Sequence, residues 1–441
     1  MRFDVRRVLL LAGLAATSAN AQLAEKAPPK PDRWTIIHAD TLMARADKPA
    51  QKNMSIVVHN DKIDSVRPGN VRPEDIVDVA PATVTVIDLP GKFVMAGLMD
   101  AHAHIGFGTM PKAMQTALSK VVNGATTVRD AGSEPTIIFP LRDAINQGLA
   151  WGPRILASGM PVSVTGGHAD GRNGDWHAMM EPPAFTGGIC DGPEECERVT
   201  RKQIQFGADQ VKMMATAGIL DDANVGMDQQ FTEDEMKAIV TSSHLMRRKV
   251  MAHAIGTIGI KTAVRAGVDS IEHGYELDDE GAEMMKRQGT YLVATLEAPT
   301  EVMRWVKGTK AATMPLSENS RKKMLALPEA QPGYIGRQVR LATRHGVKLG
   351  IGTDFGGSPS DEMVLMVREG GISPQQALEA ATIGNADLLG ISNIAGTIEP
   401  GKSADIVAFD GNPLDQIENA TKIAFVMAQG REVVGPGFVL P

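Results

Sequence analysis

Between Lys92 and Asn393 the sequence keeps one rhythm: a short apolar run, a turn, a helical stretch, then the next run. Eight such runs can be read, at Phe93 to Ala101, Thr126 to Arg129, Arg154 to Ala157, Gln210 to Met214, Lys249 to Ala252, Ser270 to Glu272, Tyr291 to Leu296 and Lys348 to Gly352. Strands that alternate with helices pair in parallel, because each crossover helix returns the chain to the same end of the sheet. Eight such units suggest a closed (β/α)8 barrel, for which ~250 residues is the usual size. The stretch Thr232 to Arg248 is a typical expected helix, with Thr232 as N-cap and Glu235 three positions on, a capping box.

The flanks read differently. From Trp34 to Asp88, short β-type runs (Thr35 to Ile37, Ser55 to Val58, Lys62 to Val66, Thr83 to Ile87) are punctuated by turns such as Asn60-Asp61 and Pro68-Gly69. After Asn393 the β character returns at Asp405 to Phe409, Ile423 to Met427 and Glu432 to Val434. The expected architecture is therefore α/β: residues 22–91 and 393–441 form the two parts of one small β-sandwich, and residues 92–392 form the barrel. The charged stretch Ala298 to Gly333 before the last strand reads either as a lid or as a solvated helix pair.

Residues 1–21 read as a signal peptide. Arg2, Arg6 and Arg7 make a basic start, Val8 to Ala16 is apolar but too short to span a bilayer, and Ala19-Asn20-Ala21 fits a small-residue cleavage site. Export to the periplasm or the medium follows, without a membrane anchor after cleavage. The two cysteines, Cys190 and Cys196, flank a Gly-Pro turn; either a local disulfide or two thiols is compatible with that spacing. The net charge of −7 and an aromatic fraction of 4% argue against a nucleic-acid partner. Some of the 24 methionines, Met160, Met179, Met180, Met213 and Met214 among them, would suit an adaptable apolar pocket as well as ordinary core packing.

The histidines carry the chemistry. His102 and His104 close the first barrel strand, and an i, i+2 pair on a strand points one way. His253 ends the fifth strand, His273 the sixth, and Asp354 the eighth. Taken singly, each is as well explained by polar packing or a helix cap. Together they lie at the strand ends where a barrel places its reactive side chains. Imidazole and carboxylate donors at one point suit a divalent metal. Lys212 sits inside an apolar strand, where a cation is costly to bury. It is either paired with an acid or carbamylated, which would make it an anion able to bridge two metals.

With these residues in view, the sequence resembles the binuclear amidohydrolase superfamily from about Trp34 to its C-terminus. Gly91-Lys-Phe-Val-Met-Ala-Gly-Leu-Met-Asp100 before the barrel and Gly396-Thr-Ile-Glu-Pro-Gly-Lys-Ser-Ala-Asp-Ile-Val407 after it are also similar. Thr165-Gly-Gly-His168, Ala208-Asp-Gln-Val-Lys-Met-Met-Ala215 and Ala266-Gly-Val-Asp-Ser-Ile-Glu-His-Gly274 look like the prolidase and carboxypeptidase-like branch, and in particular its bacterial ochratoxin-hydrolysing members. The resemblance implies two divalent cations, zinc first among them. One would be held by His102, His104, Asp354 and carbamylated Lys212, the other by Lys212, His253 and His273, with a bridging hydroxide as nucleophile. It further implies Asp354 as proton carrier, His168 as a substrate-holding residue, a small-molecule amide or dipeptide substrate and a homo-oligomer. A cyclic-amide hydrolase or a deaminase of the same superfamily is the alternative enzyme class, although deaminases usually manage without the lysine. A scaffold relative that has lost its site is the non-enzymatic reading.

Overall fold

A computed structural model of the chain describes residues 32–76, 80, 83–171, 187–221, 226–300, 317–326 and 334–435. The expected signal peptide, Met179, Met180 and most of the charged stretch from Ala298 to Gly333 lie outside the described residues.

Eight short parallel strands form the barrel: β5 (Leu98–Ala103), β6 (Ala125–Asp130), β7 (Arg154–Ala157), β8 (Val211–Met214), β9 (Val250–Ala254), β10 (Ser270–His273), β11 (Tyr291–Val293) and β12 (Leu349–Gly350). They pair as β5-β6-β7 and β8-β9-β10-β11-β12. Two bridges join these arcs, Ala103 with Asp354 and Val162 with Met213. Backbone bonds from Val162 N to Lys212 O (2.8 Å) and from Ala101 N to Ile351 O (2.7 Å) run across the same seams. Every residue of β5, β6, β8, β9 and β10 is buried. Burial on both faces is why these segments show no strict alternation of apolar and polar residues.

Helices α1 (Met110–Val122), α2 (Pro135–Asn146), α3 (Pro193–Gln205), α4 (Glu233–Leu245), α5 (Thr257–Ala266) and α6 (Asp279–Gln288) follow successive strands. Then come α7 (Glu318–Ala326), α8 (Arg337–His345), α9 (Pro359–Arg368), α10 (Pro374–Glu379) and α11 (Asn385–Leu389). The capping box at Thr232 is present, with Glu235 N donating to Thr232 Oγ1 and Thr232 N donating to Glu235 Oε2. The helix stops at Leu245, short of the expected Arg248. Arg247 takes a left-handed φ of 55° there as the chain turns into β9.

The chain's two ends share one seven-stranded sheet, in the order β15-β14-β13-β4-β1-β2-β3. Its N-terminal members are β1 (Trp34–Met43), β2 (Gln51–His59), β3 (Lys62–Pro68) and β4 (Val84–Ala96); its C-terminal members are β13 (Ile406–Asp410), β14 (Ile423–Ala428) and β15 (Arg431–Val434). Strand β13 pairs antiparallel to β4, with Phe409 opposite Phe93, and this seam makes one domain of two distant segments. The strand expected from Phe93 to Ala101 is thus two strands, the first in the sheet and the second in the barrel. The break falls at Gly97, where a Cβ would stand 2.2 Å from Thr126 Oγ1. Only glycine lets the backbone pass that close.

Cys190 and Cys196 are joined as a disulfide at the start of α3, which resolves the choice left open by the sequence.

Candidate active site

All seven residues singled out in the sequence, His102, His104, His168, Lys212, His253, His273 and Asp354, line one pocket. The ring of strands explains the convergence: β5, β8, β9, β10 and β12 each deliver their C-terminal residues to the same mouth.

One donor atom each from His102, His104 and Asp354 lies within 4.8 Å of the other two. His104 Nε2 is 3.2 Å and His102 Nε2 3.8 Å from Asp354 Oδ1. Lys212 Nζ lies 3.3 Å from His102 Nε2. The rings of His253 and His273 meet edge to face at 4.6 Å, and His273 lies 5.0 Å from His102. His273 and Asp354 sit in the left-handed backbone region, at φ 71° and 64°. Such non-glycine conformations cost ~1–3 kcal/mol and are retained mainly where side-chain direction matters.

Each imidazole is anchored through one nitrogen. His102 Nδ1 meets Glu272 Oε2 at 2.6 Å, His104 Nδ1 the Gly132 carbonyl at 2.8 Å and His273 Nδ1 the Thr295 hydroxyl at 2.7 Å. In all three this leaves Nε2 as the ligating nitrogen. His253 is anchored the other way, with Nε2 3.3 Å from the Ala217 carbonyl, which leaves Nδ1. His168 Nδ1 meets Asp221 Oδ2 at 2.7 Å, and its ring stacks on His253 at 4.4 Å.

Burial sets the protonation states. It holds His102 and His253 well below the ordinary imidazole range and His273 down to about 4, so these rings are neutral and can ligate. Burial also brings the Lys212 ammonium down to about 8. No carboxylate among the described residues lies within ion-pair distance of that amine, although Glu272 and Asp354 act on it through space. Burial would raise the Asp354 carboxyl, but the bond to His104 and the surrounding imidazoles outweigh it and keep it ionised.

Three participants were missed in the sequence. Glu272 ties His102 to Arg129, whose guanidinium donates to Glu272 Oε1 at 2.8 Å and to Ser270 Oγ at 3.1 Å. Both charged residues are wholly buried in barrel strands. The reasoning that singled out Lys212 applies to them equally. Asp221 lies on a loop and carries no comparable signal.

Known proteins share both sequence and fold with the chain. The amidohydrolase family model matches residues 93–433. The chain is 30% identical to ochratoxinase from Aspergillus niger over 91% of its own length and 87% of that protein's. A crystal structure of a Xaa-Pro dipeptidase with methionine in its active site superposes with a TM-score of 0.80 at 34% identity, covering 90% of this chain and 99% of that one. A prolidase bound to N-methylphosphonate-L-proline gives 0.77 at 27% identity, covering 90% and 99%. The A. niger ochratoxinase structure gives 0.73 at 28%, covering 93% and 98%. The chain is a hydrolase and belongs to the amidohydrolase family.

Proposed function

We propose that this protein hydrolyses an amide or peptide bond whose amine side carries a free carboxylate: a dipeptide, an N-acyl amino acid or an ochratoxin-type aryl amide. The observation that carries the reading is the convergence of five imidazole and carboxylate donors and a buried lysine at the mouth of one pocket. The donor set fits two divalent cations. His102 Nε2, His104 Nε2 and Asp354 would hold one; His253 Nδ1 and His273 Nε2 would hold the other. Zinc suits this imidazole and carboxylate set best.

Lys212 stands between the two groups of donors. Its depressed pKa leaves a useful fraction as free amine, the form that attacks carbon dioxide. Formation of the nitrogen–carbon bond, with loss of one proton from the free amine, would give a carbamate anion whose oxygens suit divalent cations. Bound cations would supply an activated water at neutral pH, its pKa lowered from 15.7 to ~7, and would polarise the scissile carbonyl. Asp354, ionised and 3.2 Å from His104 Nε2, would accept the proton of the attacking water and return it to the departing amine. His168, fixed in orientation by Asp221, holds the substrate against the pocket wall. Phe107, Ile219, Leu220, Ile255 and Phe355 make that wall apolar, which suits an aromatic acyl or side-chain group.

Residues 1–21 fit an export signal, and the Cys190–Cys196 disulfide supports an oxidising destination. Substrates would then be met in the periplasm or medium.

A panel of N-acyl amino acids, dipeptides and ochratoxin A, run beside cyclic amides and aminopurines, tests the class. Turnover confined to the cyclic amides or aminopurines overturns it. Lys212→Ala is expected to lose bound metal and at least ~100-fold in turnover, on the scale of losses at metal-site partners. Wild-type turnover in that variant removes the carbamate. Asp354→Asn is expected to stay folded and lose most turnover.

A further inference from the structure

Helix α7 lies in the charged stretch between β11 and α8, far in sequence from the loop that follows β8, yet the two meet through one side chain. Lys323 Nζ donates to Asp221 Oδ1 at 2.6 Å, to the Asp221 carbonyl at 3.0 Å and to the Gly218 carbonyl at 3.1 Å. An ammonium has three protons, and all three are directed at this one four-residue loop. Ser320, one turn earlier on α7, donates its hydroxyl to the same Asp221 carbonyl at 3.0 Å.

The loop in turn forms part of the active site. Asp221 is wholly buried, and its Oδ2 accepts from His168 Nδ1 and from Gly218 N, both at 2.7 Å. A Cβ on Gly218 would stand 2.2 Å from His168 Cε1, so the loop backbone lies directly against the ring. Ile219 and Leu220, between the two anchored residues, face the pocket. A surface ion pair would leave the carboxylate solvated and the backbone untouched. Here the carboxylate is buried and two main-chain carbonyls are pinned by the same cation.

We infer that Lys323 is a positioning residue for the reaction. Docked from outside the barrel, it holds the 218–221 loop closed, and through Asp221 it fixes the orientation of His168 and the apolar wall made by Ile219 and Leu220. The inference rests on the amide-hydrolase reading of the site. It gives α7 a role that its charge pattern alone does not reveal: part of the site is held in place by this helix. Removing the cation deletes three hydrogen bonds to the loop at once, one of them to the buried Asp221 carboxylate. A misplacement of His168 by about 1 Å is enough to cost ~100-fold in rate.

The test compares wild type, Lys323→Met and Lys323→Arg, each loaded with zinc, on ochratoxin A and N-acyl phenylalanines. Bound metal and amide hydrogen exchange are measured alongside. Lys323→Met is expected to lose ~10–100-fold, mainly in kcat rather than KM, because an oriented group is misplaced rather than a contact deleted. Metal content should stay at the wild-type value, and exchange should rise at the Gly218 amide. Lys323→Arg, which keeps a cation and N–H donors, should recover most of the activity. Unchanged exchange and kcat in Lys323→Met overturn the inference. Loss of activity in step with loss of metal also overturns it, because the effect would then lie in the ligand set. If wild type cleaves none of these amides, the functional reading falls, while the exchange result still decides whether Lys323 holds the loop.

Discussion

Glu272 serves two partners at the centre of the barrel. One oxygen fixes the His102 tautomer, and the other neutralises Arg129, the bulkiest wholly buried side chain among the described residues. A hydrogen-bonded buried pair of this kind is costly to break because the survivor is left as an unpaired charge, at ~3–5 kcal/mol. Glu272→Gln should therefore weaken metal binding by ~10–100-fold, as loss of the residue orienting a ligand usually does. It should also lower the urea midpoint. Titration against a chelating dye beside a denaturation curve checks both, and unchanged metal affinity would show that His102 needs no anchor. At this scale the sequence showed the candidate ligands but not their supports. His102, His104, His253, His273 and Asp354 announce themselves by falling at strand ends. The supports are a carboxylate on a neighbouring strand, a backbone carbonyl at Gly132 and a threonine hydroxyl at 295, which have no pattern of their own.

Element by element, the local signals were legible where the chain decides its own geometry. The capping box at the head of α4 is one such case, and it extends beyond the helix: Glu235 Oε1 also accepts from Gly192 N at 2.7 Å, tying α4 to the disulfide turn at the head of α3. Thr232→Ala should cost about 1 kcal/mol, the usual value of a lost N-cap, and leave kcat unchanged. Glu235→Ala should cost more than Thr232→Ala, because it removes the link to α3 as well. Urea midpoints of the two variants decide the order. Element ends were less legible, because neighbours set them. Strand β12 is recognised in the sequence over Lys348 to Gly352 but pairs regularly only at Leu349–Gly350, after which the chain bends to present Asp354. The division at Gly97 is likewise set by Thr126 on the adjacent strand.

For the whole molecule, the burial of so many imidazoles makes stability depend on pH. His273 stays neutral in the fold down to about 4, whereas in the unfolded chain it takes a proton near its ordinary value of 6.5. Between those values the unfolded state binds more protons, so stability rises with pH across the window and is lost as the solution is acidified through it. His273 alone accounts for about 3 kcal/mol, and His102 and His253 act in the same direction. Glu362, pushed up to about 8 by burial, opposes them as one group against three. Chelator-treated protein should therefore show a falling urea midpoint from pH 6.5 to 4.5, and a flat midpoint would mean that these rings are not buried neutral. The sequence by itself determined the alternation of strands and helices, the parallel barrel that follows from it, and the candidate site residues at the strand ends, because periodicity and burial act through near neighbours along the chain. Only the tertiary structure decided which carboxylate orients His102, that β13 pairs with β4 to make one sheet of two distant segments, and that α7 reaches across to the loop beside His168. Those contacts join residues dozens to hundreds of positions apart, and no local preference encodes which of them will meet.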